Sequence, residues 1–205
     1  MITLKAISGP MTDGDAALAA AFFRFRYSSS FPAAFREDAS AVLARVAAGD
    51  AILAVAADGA GVVRGGAVVG LHGAFAEVEY VCSRRGATPR GIGRRALDAA
   101  LDAAPAPAVV WAALPAPGLR RGDDVMDAAR RYDIFLSWGF DDTGLPWRSI
   151  AAAAPAARMA LLYRAAARPA PEDVRAYAAM RLRRAGQDVR GADLLAYGIE
   201  ERNRR

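Results

Sequence analysis

The sequence holds one cysteine, Cys82, one histidine, His72, and one lysine, Lys5, among 205 residues. A lone cysteine excludes an intramolecular disulfide, and one Cys with one His excludes a zinc centre built from several such ligands, so no metal site is expected. The same scarcity weighs against a nucleophile–histidine triad. His72 would need an activated Ser or Cys beside it, and no Gly-x-Ser-x-Gly elbow exists. Apolar residues make up 54% of the chain, much of that alanine, yet no uninterrupted run approaches the roughly 20 residues of a bilayer span. Met1 to Pro10 lacks the basic flank and apolar core of an export signal. A protein of the cytoplasm, without membrane contact, is the expectation.

Charge is present, and it is almost all arginine: the net charge is +5 and the isoelectric point about 9.9. Such a balance suits a polyphosphate ligand, an acidic partner or nucleic acid, and does not choose among them. The clustering is more informative. Arg84, Arg85, Arg90, Arg94 and Arg95 stand close together, with no acid between Tyr80 and Leu97.

Along the chain, Leu4 to Ser8 reads as a first strand. Thr12 with Asp15 reads as a capping box opening a helix that carries Leu18, Phe22 and Phe25 and is interrupted by Ser28-Ser29-Ser30 and Pro32. A second helix around Ala39, Val42 and Val46 ends at Gly49-Asp50. Three apolar runs follow: Ala51 to Ala57, closed by Asp58-Gly59; Val62 to Leu71, closed by His72-Gly73; and Ala74 to Cys82. They read as an antiparallel meander. Strict alternation in the third run puts Glu77, Glu79 and Val81 on one face, and Val78, Tyr80 and Cys82 on the other.

A loop over Ser83 to Arg90 leads into a helix over Gly91 to Ala104, and Ala108 to Leu114 reads as a buried strand, which together make a parallel crossover unit. Then come a helix from about Asp124 to Ser137, a short strand near Phe140, a turn at Asp142-Thr143-Gly144 and a strand over Arg158 to Arg164. The alanine-rich stretch Ala151 to Ala157 reads as a connection. From Pro169 onward the pattern is helical, with starts at Pro171 and Ala192. The expected organisation is one α/β (α+β) domain over 1–165 with a helical extension over 166–205.

Chemistry concentrates at Arg90-Gly91-Ile92-Gly93. A glycine-rich turn at a helix N-terminus offers backbone N–H groups with no intrahelical partner, in the positive potential of the aligned peptide dipoles. Gly91 and Gly93 let a pyrophosphate approach, and the flanking arginines add charge. The turn lacks the third glycine of a dinucleotide fingerprint and the Gly-Lys-Ser/Thr of a Walker loop.

In these surroundings the chain resembles the GNAT (Gcn5-related N-acetyltransferase) superfamily, in Phe75 to Cys82 as the fourth strand, Pro89 to Leu97 as the acyl-CoA loop and helix, and Tyr132 to Phe140 as the closing helix with its Gly-Phe. The likeness in element order runs from Met1 to about Arg164. It implies a mixed, mostly antiparallel, splayed sheet with acetyl-CoA, or another acyl-CoA, as cosubstrate. Cofactor contacts are implied for Val81, Cys82, Ser83, Thr88, Pro89, Arg90, Gly91, Ile92, Gly93 and Arg94. Thr88 departs from the Gln or Arg that the family places three positions before the first glycine.

The resemblance further implies direct attack of an amine, on a small molecule or a protein, upon a thioester. Glu77 is the leading general base and Glu79 the second. Members often protonate the leaving thiolate with a tyrosine where this chain has Phe135; Tyr132, one turn earlier, is the substitute. Acceptor contacts are implied for Phe22, Arg24, Arg26 and Tyr27. Cys82 reads as a small buried residue rather than a nucleophile. Two alternatives stand beside this reading: a GNAT-fold binding module with weak or no catalysis, directed to an acidic partner or nucleic acid, and an acyl-homoserine-lactone synthase, disfavoured because Val81 stands where that family's Glu-x-Ser-Arg needs glutamate. The helical tail is open to either closing a pocket or pairing subunits in a homodimer.

Overall fold

The computed structural model describes residues 1–31, 33, 36–83, 90–117, 127–148 and 158–184. Contacts group the chain into two compact units, Met1–Pro107 and Ala108–Arg205.

The first unit is an antiparallel sheet in the spatial order β1 (Ile2–Ile7), β2 (Ala51–Asp58), β3 (Val63–His72) and β4 (Phe75–Ser83). Asp58 closes the β2–β3 turn, its carboxylate accepting the Ala60 and Val62 N–H groups at 3.0 Å each and pairing with Arg64. Gly73, at φ +62°, turns β3 into β4. Helix α1 (Asp13–Phe22) opens on the expected capping box: Thr12 Oγ1 accepts from Asp15 N at 3.2 Å, and the Asp15 carboxylate accepts from Thr12 N at 3.0 Å.

The serines do not interrupt this helix. It runs on through a π-helical turn (Phe23–Tyr27) into α2 (Ser28–Ser30), because Ser28 and Ser29 donate back to the carbonyls of Arg24, Phe25 and Arg26. Helix α3 (Ala39–Ala48) is capped by Asp38 and ends on left-handed Gly49. Phe22, Phe23, Tyr27, Val42 and Val46 from these helices pack with Leu53, Val68 and Cys82 of the sheet into one core cluster. Helix α4 (Ile92–Asp102) follows β4 and buries Ile92, Ala96, Leu97 and Ala100.

In the second unit β5 (Val109–Pro115) pairs antiparallel with β7 (Arg158–Arg164), which pairs with β6 (Asp141–Arg148). The expected turn at 142–144 is instead an irregularity within β6, where Gly144 takes φ +68° and its N–H donates to Asp142 Oδ1 at 2.8 Å. Helix α5 (Ala128–Ser137) is capped by Asp127. Helix α6 (Pro171–Arg184), expected as an extension, belongs to this unit's core: the Tyr177 ring stacks on Trp111 at 5.0 Å and on Trp147 at 5.6 Å, and Val174, Ala178 and Leu182 are buried with it. The start expected at Ala192, the stretch 151–157 and the beginning of the helix expected from Asp124 lie outside the described residues. No helix among the described residues is long and apolar enough to cross a membrane.

Candidate functional site

Among the described residues, side chains cap the N-termini of α1 (Thr12), α3 (Asp38) and α5 (Asp127). The N-cap of α4 is Gly91, left-handed at φ +81°, with no side-chain cap and no acid in the first turn. The first intrahelical bond found here is Arg95 N to Gly91 O at 2.9 Å, so the N–H groups of Ile92, Gly93 and Arg94 point out of the helix. A Cβ on Gly91 would meet nothing within 4 Å, so glycine is required there by backbone conformation rather than by crowding. Arg90, Arg94 and Arg95 are exposed around this end, Arg94 3.4 Å from Asp98. A glycine N-cap that adds no side chain, a favourable dipole and surrounding cations suit a phosphate. Thr88, Pro89, Arg84 and Arg85 lie outside the described residues.

Strand β4 supplies the carboxylates. Val68 faces Tyr80 and Val69 faces Val78, so Glu79 is the extra residue of a β-bulge. The bulge corrects the strict alternation expected from sequence. Glu79 reaches Arg45 of α3, while Tyr80 and Cys82 pack into the cluster that holds Val42 and Val46 of the same helix. All three therefore project to one side.

Glu79 is fixed there by two charge-assisted bonds, Arg45 Nη1 to Oε1 at 2.9 Å and Nη2 to Oε2 at 2.8 Å. The same Nη2 reaches Glu37 Oε2 at 2.9 Å. The two carboxylates hold the Arg45 proton more tightly than usual, against the opposing effect of burial. Glu77 is buried at 3% exposure and lies 3.7 Å from His72 Nε2. Donor atoms of His72, Glu77 and Glu79 all fall within 4.8 Å of one another. Gly70 makes the room: a Cβ there would collide with Glu79 Oε1 and come 2.9 Å from His72 Nε2. A fixed cation, Arg45, already holds both oxygens of Glu79, which disfavours a metal ion in this group.

The other candidate residues divide plainly. Cys82 is buried opposite Gly66, and Ser83 is exposed opposite Gly65. Burial pushes the Cys82 thiol up to about 12, with Ser30 and Arg26 pulling the other way. Phe22 and Tyr27 are core residues at 0% and 3% exposure, so neither presents a ring surface to an acceptor, which corrects their sequence-based assignment; the Tyr27 hydroxyl donates to the Glu37 carbonyl at 2.9 Å. Arg26 Nε donates to the Val63 carbonyl at 2.8 Å, whereas Arg24 is exposed over the Phe25 ring at 5.1 Å. Phe135 packs between Trp138 and Phe140 at 5.2 Å each. The Tyr132 hydroxyl donates to Asp142 Oδ2 at 2.8 Å, and partial burial together with Asp142 pushes it up to about 12.

Sequence alone gives His72 an incidental role and Arg45 none, whereas the structure sets both beside the β4 carboxylates. His72 was legible in outline: a hairpin with a two-residue turn at Gly73-Ala74 places Gly70 opposite Glu77, and so His72 on the same face. Arg45 carried no comparable signal, because the helix that presents it lies 34 residues from Glu79.

No family model matches the sequence, and no curated protein matches it. Solved structures do. A protein from Bacteroides thetaiotaomicron described as an acetyltransferase of the GNAT family superposes over 88% of this chain and 94% of its own, with a TM-score of 0.62 at 15% identity. One from Desulfovibrio desulfuricans, described likewise, covers 82% of this chain and 100% of its own, with a TM-score of 0.54 at 15% identity. The ribosomal-protein-S18-alanine N-acetyltransferase of Escherichia coli covers 83% and 97%, with a TM-score of 0.53 at 12% identity. The chain has the α/β fold of the GNAT acetyltransferases.

Proposed function

We propose that this protein is an acyl-CoA-dependent N-acyltransferase that uses acetyl-CoA and modifies an amine of a small molecule or a protein. The observation that carries the reading is the arginine-flanked N-terminus of α4, which opens on left-handed Gly91 with no side-chain cap and no acid in its first turn, on a chain with this fold. Acetyl-CoA, when bound, supplies a thioester carbonyl for the amine to attack and a thiolate to leave. The N–H groups of Ile92, Gly93 and Arg94 take the pyrophosphate, with Arg90 and Arg94 beside it. Backbone groups of Val81, Cys82 and Ser83 take the pantetheine arm.

Glu77 removes the proton of the attacking amine. Glu79 is the weaker candidate because both its oxygens are bonded to Arg45. Solvent returns a proton to the thiolate; a part for Tyr132, the candidate read from sequence, is tested by the turnover of Tyr132→Phe. Arg24, exposed near the end of the first helix, is the residue left to meet an anionic group of the acceptor.

Titration with acetyl-CoA, followed by thermal unfolding, tests this. Ligand at 100 times its Kd adds about 2.7 kcal/mol to unfolding. The Arg90→Glu/Arg94→Glu variant weakens binding at least tenfold while leaving the unliganded melting temperature in place. A melting temperature indifferent to acetyl-CoA, with salt-sensitive binding of a DNA oligonucleotide instead, defeats the reading. An N-terminally alanyl peptide, prompted by the Escherichia coli neighbour, and a diamine are the first acceptors to try.

A further inference from the structure

We infer that His72 carries the proton between buried Glu77 and solvent. The inference rests on the proposed role of Glu77 as base and adds to it the exit a buried base needs. A carboxylate with 3% of its surface exposed cannot hand its proton to bulk water directly, and each turnover would leave it protonated and inert. His72 closes β3 at the turn into β4, with 16% of its side chain exposed. Its Nε2 stands 3.7 Å from Glu77 Oε2, an ion-pair distance that a small rotation of either side chain or one bridging water turns into a hydrogen bond. Gly70, directly across from Glu77, has no side chain to displace His72 Nε2 from its place beside the carboxylates.

The proton balance is simple. Glu77 takes a proton from the amine as the N–C bond forms. The Glu77 hydroxyl passes it to the Nε2 lone pair of neutral His72. The imidazolium releases its Nδ1 proton to water, Glu77 is again a carboxylate, and exchange of the ring protons with water restores the Nδ1–H tautomer of His72.

Other charged groups stand close to the pair. Glu79 also faces His72, but its charge is held by Arg45, which is shared with Glu37. Exposed Asp50, whose carbonyl accepts from Leu71 N, lies beside the same end of β3. Glu77 and Glu79 from β4, Arg45 and Glu37 from the α3 side, and Asp50 are the charged groups around His72. Imidazole is suited to the task because it exchanges protons near neutral pH.

His72 is the only histidine, so its ring resonances in an NMR titration are unambiguous. In Glu77→Gln the midpoint of that titration falls by about one pH unit relative to wild type, as loss of a neighbouring carboxylate requires. Should Glu77→Gln fail to fold, the wild-type Glu77 carboxyl carbon reports instead, by showing a second step at the His72 midpoint. In turnover, His72→Gln lowers kcat at least tenfold, leaves KM for acetyl-CoA unchanged, and is partly rescued by imidazole in the buffer. An unmoved midpoint, or undiminished kcat with an unaltered pH profile in His72→Gln, overturns the relay. Wild type that binds no acetyl-CoA sinks the parent reading instead, and the titration then decides alone whether the pair is coupled.

Discussion

Arg45 holds both carboxylate oxygens of Glu79 across the space between α3 and β4, at 2.9 and 2.8 Å, with the Glu79 side chain only 5% exposed. Removing the cation leaves a buried carboxylate with its principal counter-charge gone. Arg45→Met therefore destabilises by about 3 kcal/mol, the low end for a buried pair because Arg45 itself keeps 20% exposure. The Arg45→Met/Glu79→Gln double variant recovers much of the loss. Urea unfolding of the four proteins of this cycle measures it; additive losses in the double variant would show that the pair is not coupled.

Gly66 carries a different constraint. A Cβ at this position would stand 2.6 Å from the Ala54 carbonyl oxygen and 2.7 Å from the Phe22 ring, both fixed in the core. Gly66→Ala is expected to cost about 1–3 kcal/mol by overpacking. Gly59, in the β2–β3 turn, has nothing within 4 Å and an ordinary φ, so Gly59→Ala stays within about 0.5 kcal/mol of wild type. Equal melting temperatures for the two variants would refute the packing account.

The division between legible and illegible parts follows from range. The Thr12 capping box, the strand pattern from Ala51 to Cys82 and the open turn at Gly91 are encoded within a few neighbouring residues, and each stands in the structure. The bulge at Glu79 is not local in this sense. Alternation across β4 is broken by pairing with β3, and no feature of Glu77 to Cys82 alone marks the extra residue. Ser28 to Ser30 misled because serine commonly ends helices, yet these side chains bond the carbonyls of a π turn and continue the helix. The fate of α6 was hidden for another reason: its Tyr177 is an unremarkable aromatic until the stacks on Trp111 and Trp147 are seen.

Acid should expose the cap of α1. Lys5 first, then the Thr12 hydroxyl and amide, hold the Asp15 carboxyl at about 2, below its ordinary value. A carboxyl depressed in the folded state stabilises the fold above the unfolded value of about 4, and that contribution disappears as pH falls toward 2. Asp15→Asn lowers the urea midpoint at pH 7, and the gap from wild type closes between about pH 4 and pH 2. A gap that persists unchanged at pH 2 would mean that charge on Asp15 is not what the variant removes.

Cys82 separates two kinds of transfer chemistry. Its thiol is buried and pushed up to about 12, so the folded protein at pH 8 holds about a thousandfold less thiolate than an ordinary cysteine near 8.5 would. A disulfide reagent should therefore label the native protein only as fast as local opening allows, and label urea-unfolded protein at once. Because the folded thiol holds its proton longer than the unfolded one, its contribution to stability is complete below about pH 9 and is lost as pH rises toward 12. An acyl-cysteine route would need the thiolate that the fold suppresses, whereas direct attack of an amine needs nothing from this side chain. Cys82→Ala is thus expected to lose about 1 kcal/mol of stability, from a shallow vacancy in the core. It should keep acetyl transfer within about threefold of wild type; rapid native labelling, or transfer abolished in a folded Cys82→Ala protein, would move the chemistry from the buried carboxylate to the sulfur.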